Sequence, residues 1–179
     1  MLRFNLSEKK ALEALVFVAK EWPAITAFYA AKVFFFADKE HLSTYGRPVI
    51  GDRYIAMDHG PVPSVIYGWF KGDLNWAGEP RSILKSVKFD RKAGSYMSAT
   101  ALRKPDMNYL SPSDVAALKS AIALCRGRPF QQLSRLSHDD PAYQEAALNA
   151  EMDPALMIEG EHREELLEAA REFAAYGVG

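Results

Sequence analysis

His59 follows Asp58, His138 precedes Asp139 and Asp140, and His41 comes shortly after Asp38. Imidazole and carboxylate together ligate divalent metals and carry protons near neutral pH, so a fold that gathered these residues would make a metal-dependent hydrolase. Their spacing does not gather them: the sequence holds no His-Glu-x-x-His pair, no glycine-rich phosphate loop and no Gly-x-Ser-x-Gly elbow. Asp139 and Asp140 serve equally as caps of a helix opening near Pro141, and His59 can bond backbone groups freed by the prolines beside it. No catalytic residue, metal or cofactor is therefore expected, and a hydrolase built on His59, His138 and their neighbouring carboxylates stands as the alternative. Cys125 falls on the apolar stripe of a helix, where a buried, inert thiol is expected. As the sole cysteine it excludes an intramolecular disulfide and a zinc site of paired cysteines, which points to a reducing compartment, the cytoplasm.

Other residues suit the binding of a macromolecule. Tyr67, Trp69 and Phe70 are of the types that anchor protein interfaces, although the same spacing suits the core face of a helix. Residues 81–104 set Arg81, Lys85, Lys88, Arg91, Lys92, Arg103 and Lys104 against Asp90, a net of +6. That density can meet an acidic protein surface or nucleic acid, or keep a solvated hairpin from pairing edge to edge. With only Phe89 and Tyr96 to stack on, a nucleic-acid-binding regulator is the lesser alternative. Residues 1–139 carry 20 bases and 13 acids whereas 140–179 carry 2 and 10, so the two parts should attract.

The elements that must position these residues follow from periodicity and caps. Ser7 opens a helix with Leu12, Leu15, Val16 and Ala19 on one face, ending at Trp22-Pro23. A second helix, about 24–42, has Ile25, Phe28, Tyr29, Val33, Phe35 and Phe36 bulky on more than one side, as a central core helix requires. Residues 48–50 and 53–57 suggest a small hairpin about Gly51-Asp52. His59 to Pro63 reads as a stiff loop, because each proline removes a donor. Ser64 starts a short helix through Phe70 that closes at Gly72. Ile83, Lys85, Val87 and Phe89 alternate, as do Tyr96, Ser98, Thr100 and Leu102, which predicts a second hairpin turning at 90–94. Ser111-Pro112-Ser113-Asp114 opens a helix that closes at Gly127, with Val115, Leu118, Ile122 and Cys125 on one face. Phe130, Leu133 and Leu136 lead to a helix from Pro141 to about Asn149, and Leu166, Leu167, Ala170 and Phe173 stripe a last, acidic helix.

With 179 residues, 49% apolar and 25% charged, the chain can enclose a sizeable core and is neither a disordered tail nor a membrane protein. No export signal is visible, and the most apolar run, 24–37, is broken by Lys32 and falls short of the roughly 20 residues needed to span a bilayer. The fold class expected is mainly α with small β-hairpins (α+β), a single compact helical domain over 1–179 around a buried second helix.

Two stretches also carry a family pattern. One runs from Lys32 to Ser64 and contains Gly51-Asp52-Arg53-Tyr54 and His59-Gly60-Pro61-Val62-Pro63; the other is Leu133-Ser134 with Ser137-His138-Asp139-Asp140-Pro141-Ala142-Tyr143. Together they resemble the Panacea domain of SocA-like antitoxins and related phage and mobile-element proteins. The resemblance covers about residues 6–150, leaving an acidic helical extension over 151–179. It carries over at Asp38, Tyr45, Gly46, Gly51, Asp52, His59, Gly60, Pro61, Val62, Ser137, His138 and Pro141. It implies an antitoxin that neutralises a cognate protein toxin, encoded beside it, by direct contact. In SocA-like members it also implies an adaptor that delivers the toxin to a bacterial AAA+ protease. It implies no catalytic residues. Candidate family-marking or partner-binding residues are therefore Asp52, His59, Gly60, Pro61, Val62, Tyr67, Trp69 and His138, with the basic hairpin at the border of the surface. Some members add a helix-turn-helix domain; this chain leaves no room for one, so operon autorepression is not expected of it.

Overall fold

The computed structural model describes residues 1–74, 80–91 and 97–177. Helix α1, Glu8–Glu21, starts where Ser7 Oγ accepts from the Lys10 N–H at 3.4 Å, and it buries residues 11–19. The second helix opens later than its apolar pattern predicts. Pro23 and Ala24, at φ 57°, turn the chain, and Ile25–Thr26 form a short strand, β1. Thr26 then caps α2, Ala27–Tyr45, which ends at Gly46 in the left-handed conformation. Its bulky side chains serve two cores. Val33 and Phe34 join α1, Trp69 and Leu118, while Phe35 and Leu42 join Tyr54, Met152, Met157, Ile158, Leu167 and Ala170. The central position expected of this helix is observed.

Midway along α2, the buried Asp38 carboxylate organises the chain that follows. Its Oδ1 accepts the N–H groups of Val49 (2.8 Å) and Ile50 (3.0 Å); its Oδ2 accepts the Gly51 N–H (3.3 Å) and the Tyr54 hydroxyl (3.0 Å). These backbone donors have no strand partner, so the carboxylate takes the place of a ladder. Residues 48–50 are therefore no strand. The hairpin lies further on, between β2, Tyr54–Met57, and β3, Gly60–Pro63, with Asp58-His59 at its turn.

The stretch read as a stiff loop is thus a strand despite two prolines, and the register explains how. Pro63 and Pro61 stand opposite Tyr54 and Ala56, whose backbone groups bond residues on the other side: Met152 N–H to Tyr54 O at 2.8 Å and Ala56 N–H to Ala150 O at 2.9 Å. Neither proline is asked for a donor across the hairpin.

Asp52 performs the next pinning step, accepting from the N–H groups of Val65 (3.0 Å) and Ile66 (3.0 Å) and from the Ser64 hydroxyl (3.2 Å) at the start of α3, Ser64–Lys71. This is an N-terminal cap supplied from outside the helix.

Two further expectations shift. The alternation from Ile83 to Phe89 is helical in its first part: α4 covers Pro80–Ser86 with proline at its first position, and only Val87–Asp90 is strand β4. Ile83 and Val87, both buried, also sit four apart, which suits a helical turn as well as a strand. β4 pairs with β5, Ser98–Ala101, which also takes β1 on its other edge; Tyr96 and most of the expected turn lie outside the described residues. The other shift concerns α7, which covers only Pro141–Glu145, because residues 149–152 leave to bond β2.

Helix α5, Pro112–Cys125, carries the full Ser111/Asp114 capping box, and α6 covers Phe130–His138. α8, Arg163–Tyr176, packs on α2 so closely that a Cβ on Gly46 would come within 2.7 Å of Ala169 Cβ. The acidic C-terminal part meets the basic body through Lys39 with Asp140 (2.6 Å) and Glu159 (2.9 Å), and Arg3 with Glu151 (3.2 Å). The fold is α+β, mostly helical with small antiparallel sheets.

Replacing Asp38 with alanine leaves buried N–H groups without an acceptor and should cost about 3–5 kcal/mol of unfolding free energy in urea. A loss below about 1 kcal/mol would show that the loop does not depend on this carboxylate.

Candidate functional site

One cleft of about 420 Å³ gathers residues from four elements: Phe28 and Lys32 of α2, Asp58, His59 and Val62 of the β2–β3 hairpin, Tyr67 of α3 and Phe130 of α6. Its wall is aromatic. Phe28 and Phe130 have ring centroids 4.3 Å apart, and His59 meets the Phe130 ring edge-on at 4.9 Å. Phe130 is 40% exposed, far more than a core phenylalanine.

Lys32 is the unusual member. It is 1% exposed, yet among the described residues no carboxylate lies within ion-pairing distance of it and no hydrogen bond holds it. Its one polar contact is with the Phe28 face, 5.3 Å from Nζ to the ring centroid. Burial pushes the ammonium down from 10.5 to about 7, with buried Cys125 opposing that push. The Cys125 thiol is itself driven up to about 12 by burial, so it is inert as expected.

Gly60 makes room for this arrangement. At φ +99° it is in a conformation glycine favours, and a Cβ there would overlap both Lys32 Nζ and Ser137 Oγ and lie 3.3 Å from His138 Cδ2. The two stretches of the family pattern meet at this point. The His138 ring stacks on Tyr143 at 4.4 Å, whose hydroxyl donates to Met57 O at 2.9 Å. Burial, then Lys32, then His59, push His138 below its ordinary value, against Asp139. Among the described residues its buried Nε2 has no hydrogen-bond partner.

The remaining candidates have other places. Asp52 and Pro61 are buried supports of the hairpin and α3, while Val62 and Tyr67 line the cleft and His59 stands exposed at its mouth. Trp69 is 0% exposed within the first core, so it cannot anchor a partner, because no face of it reaches the surface. Among the described residues, three of the bases in 81–104 have partners within the chain: Arg91 Nε donates to Phe70 O at 2.6 Å, Arg103 grips Glu13 at 2.5 and 2.7 Å, and Lys88 pairs with Asp90 at 3.4 Å. Lys92 lies outside the described residues.

Of the hydrolase alternative, His59 and His138 come together beside Lys32 and Asp58 lines the same cleft, while its other members lie elsewhere. His41 is buried against Arg47 O (2.7 Å) and Ser113 Oγ (3.1 Å), away from the cleft, and Asp140 caps α7 and pairs with Lys39. Among the described residues no three His, Cys, Asp or Glu side chains form a metal-binding group.

Lys32, Phe28 and Phe130 were not singled out by sequence. In the sequence Lys32 stands as a break in an apolar helical run and as the first residue of the family stretch, with no role assigned to it.

Comparison with protein families decides what this segment is. The model described as "Antitoxin SocA-like, Panacea domain" matches residues 31–144. The chain belongs to the SocA-like antitoxin family. No curated protein and no solved structure matches it at significant similarity. The matched Panacea segment runs from the start of the Lys32 turn to the end of the Tyr143 stack, and so includes every residue around Gly60 described above; α1 and α8 lie outside it. Among the described residues no helix is long and apolar enough to cross a membrane.

The unfolded chain holds the Lys32 proton up to about pH 10.5, whereas the native protein releases it near 7. The unfolded state therefore binds more protons between these values, and the Lys32 contribution to stability rises with pH across that window. Lys32→Met should be more stable than the wild type below pH 7, on the order of 1–3 kcal/mol, and the advantage should shrink toward pH 10. A difference that does not change with pH in chemical unfolding would contradict the lone buried cation.

Proposed function

We propose that this chain is an antitoxin that neutralises a cognate protein toxin by direct contact, with the mouth of the aromatic cleft as the centre of the contact. It is a binding protein in this reading, not an enzyme, and works in the cytoplasm beside its toxin. The observation that carries the proposal is the family match over a segment whose two signature stretches converge around Gly60, behind a surface that exposes His59, Phe130 and the edge of Tyr67. Aromatic side chains on a rigid frame are what an interface needs, since little ordering entropy is lost when the partner docks. The hairpin is such a frame: Asp38 and Asp52 hold its base and residues 149–152 hold its outer edge.

The acidic α8 and the segment before it act in the same unit, supported by the second core they share with α2. Delivery of the toxin to an AAA+ protease is the further step the family resemblance suggests, and it requires the same contact.

Co-expression with each neighbouring open reading frame tests the proposal, scoring rescue of growth arrest together with co-purification. Rescue with a stable complex is expected; toxin loss that depends on a protease would make the chain an adaptor as well, and absence of rescue and complex from every neighbour would overturn the antitoxin reading. Within a rescuing pair, His59→Ala combined with Val62→Asp should weaken toxin binding at least tenfold with the fold retained by circular dichroism. Trp69→Ala should instead lower stability by about 3–5 kcal/mol, because it empties core volume. Unchanged toxin affinity in the folded double variant would move the contact away from the cleft.

A further inference from the structure

We propose that the Lys32 cleft is a binding site for a small organic acid, a carboxylate carried on a compact apolar body. This goes beyond toxin neutralisation and does not depend on it. The cleft volume of about 420 Å³ is in the range of small-molecule sites. Its aromatic wall of Phe28, Phe130 and Tyr67 suits an apolar body, and its floor holds the Lys32 ammonium, which pairs with no carboxylate among the described residues although Asp58 lines the same cleft.

The groups that face Lys32 come from every element packed around it. His59 and Asp58 sit on the exposed hairpin turn, His138 and Ser137 on α6, and Cys125 on α5. Asp58 lines the cleft without pairing with the lysine, and Ser137 commits its hydroxyl hydrogen to Ser134 O at 2.9 Å. His138 is held toward its neutral form, so the floor offers a single positive charge. That matches a monovalent carboxylate better than a phosphate dianion. A buried ammonium with no acceptor is costly, and a carboxylate entering from the open side removes that cost. Binding restores the proton that burial drives off, so affinity falls as pH rises above about 7, by up to about tenfold per unit.

The test uses the full-length protein with benzoate as the probe at pH 6.5, and benzamide and inorganic phosphate as controls, followed by calorimetry and NMR. Saturable millimolar benzoate binding is expected, weakened at least tenfold in Lys32→Met, unchanged in the surface control Lys119→Met, and absent for benzamide and phosphate. Should Lys32→Met fail to fold, calorimetry of the wild type at pH 7.5 in two buffers of different ionisation enthalpy reads proton uptake on binding. No saturable benzoate binding, equal binding of benzamide, unchanged binding in a folded Lys32→Met, or no proton uptake would each overturn the proposal. In a toxin complex, competition between benzoate and the toxin would show that a toxin carboxylate uses the same floor; simultaneous binding would show that the site serves a free acid.

Discussion

A carboxylate in the middle of a buried helix normally weakens a fold, but here the arrangement of the cleft depends on one. Asp38 collects three successive backbone N–H groups and a tyrosine hydroxyl, and burial still leaves its acid raised to about 6 against the pull of those four donors. Hydrogen bonds to a charged acceptor are among the stronger ones available, and here they replace a strand ladder. Through this one side chain the loop after α2 is drawn back onto α2, which places Asp52 to cap α3 and Tyr54 to start the hairpin. Without the Asp38 cage, nothing in the loop's own sequence would set the hairpin over Lys32.

The two kinds of buried charge on α2 and its loop are treated in opposite ways. Asp38 and Asp52 are surrounded by donors, whereas Lys32, two turns before Asp38, has an aromatic face, a glycine and a neutral histidine as neighbours. Satisfied buried charges hold structure, and an unsatisfied one lowers stability unless something from outside answers it. The carboxylates fix the base of the hairpin, which lies over a Lys32 that is 1% exposed. A cleft edged by exposed aromatics is suited to recognition; among the described residues no three His, Cys, Asp or Glu side chains form a metal-binding group.

Much of the helical frame was legible in the sequence, because caps are local. Ser7, Ser111 with Pro112 and Asp114, and Asp140 with Pro141 each mark a helix start that the structure contains. The errors arose where a partner from elsewhere in the chain decides the outcome. Pro61 and Pro63 argue against a strand until the register shows that β2 takes its other bonds from residues 149–152. Ile25 and Thr26 continue an apolar helical pattern but are claimed by β5. Trp69 has the identity of an interface anchor and the burial of a core residue, and only packing separates the two. Of the site, His59, Gly60, Val62, Tyr67 and His138 could be named from pattern. Lys32 could not be assigned a role, since the residues that make it unusual, Phe130, Ser137 and His138, lie far along the chain.

Lys32 is a buried amine at the floor of the cleft, without an ion-pair partner among the described residues. Its ionisation can be read directly by following the lysine Cε and Nζ resonances in the native protein through a pH titration, with Lys32→Met giving the assignment. The structure predicts a midpoint near 7. A midpoint near the ordinary 10.5 would mean that water or a carboxylate reaches the ammonium, and would contradict the account.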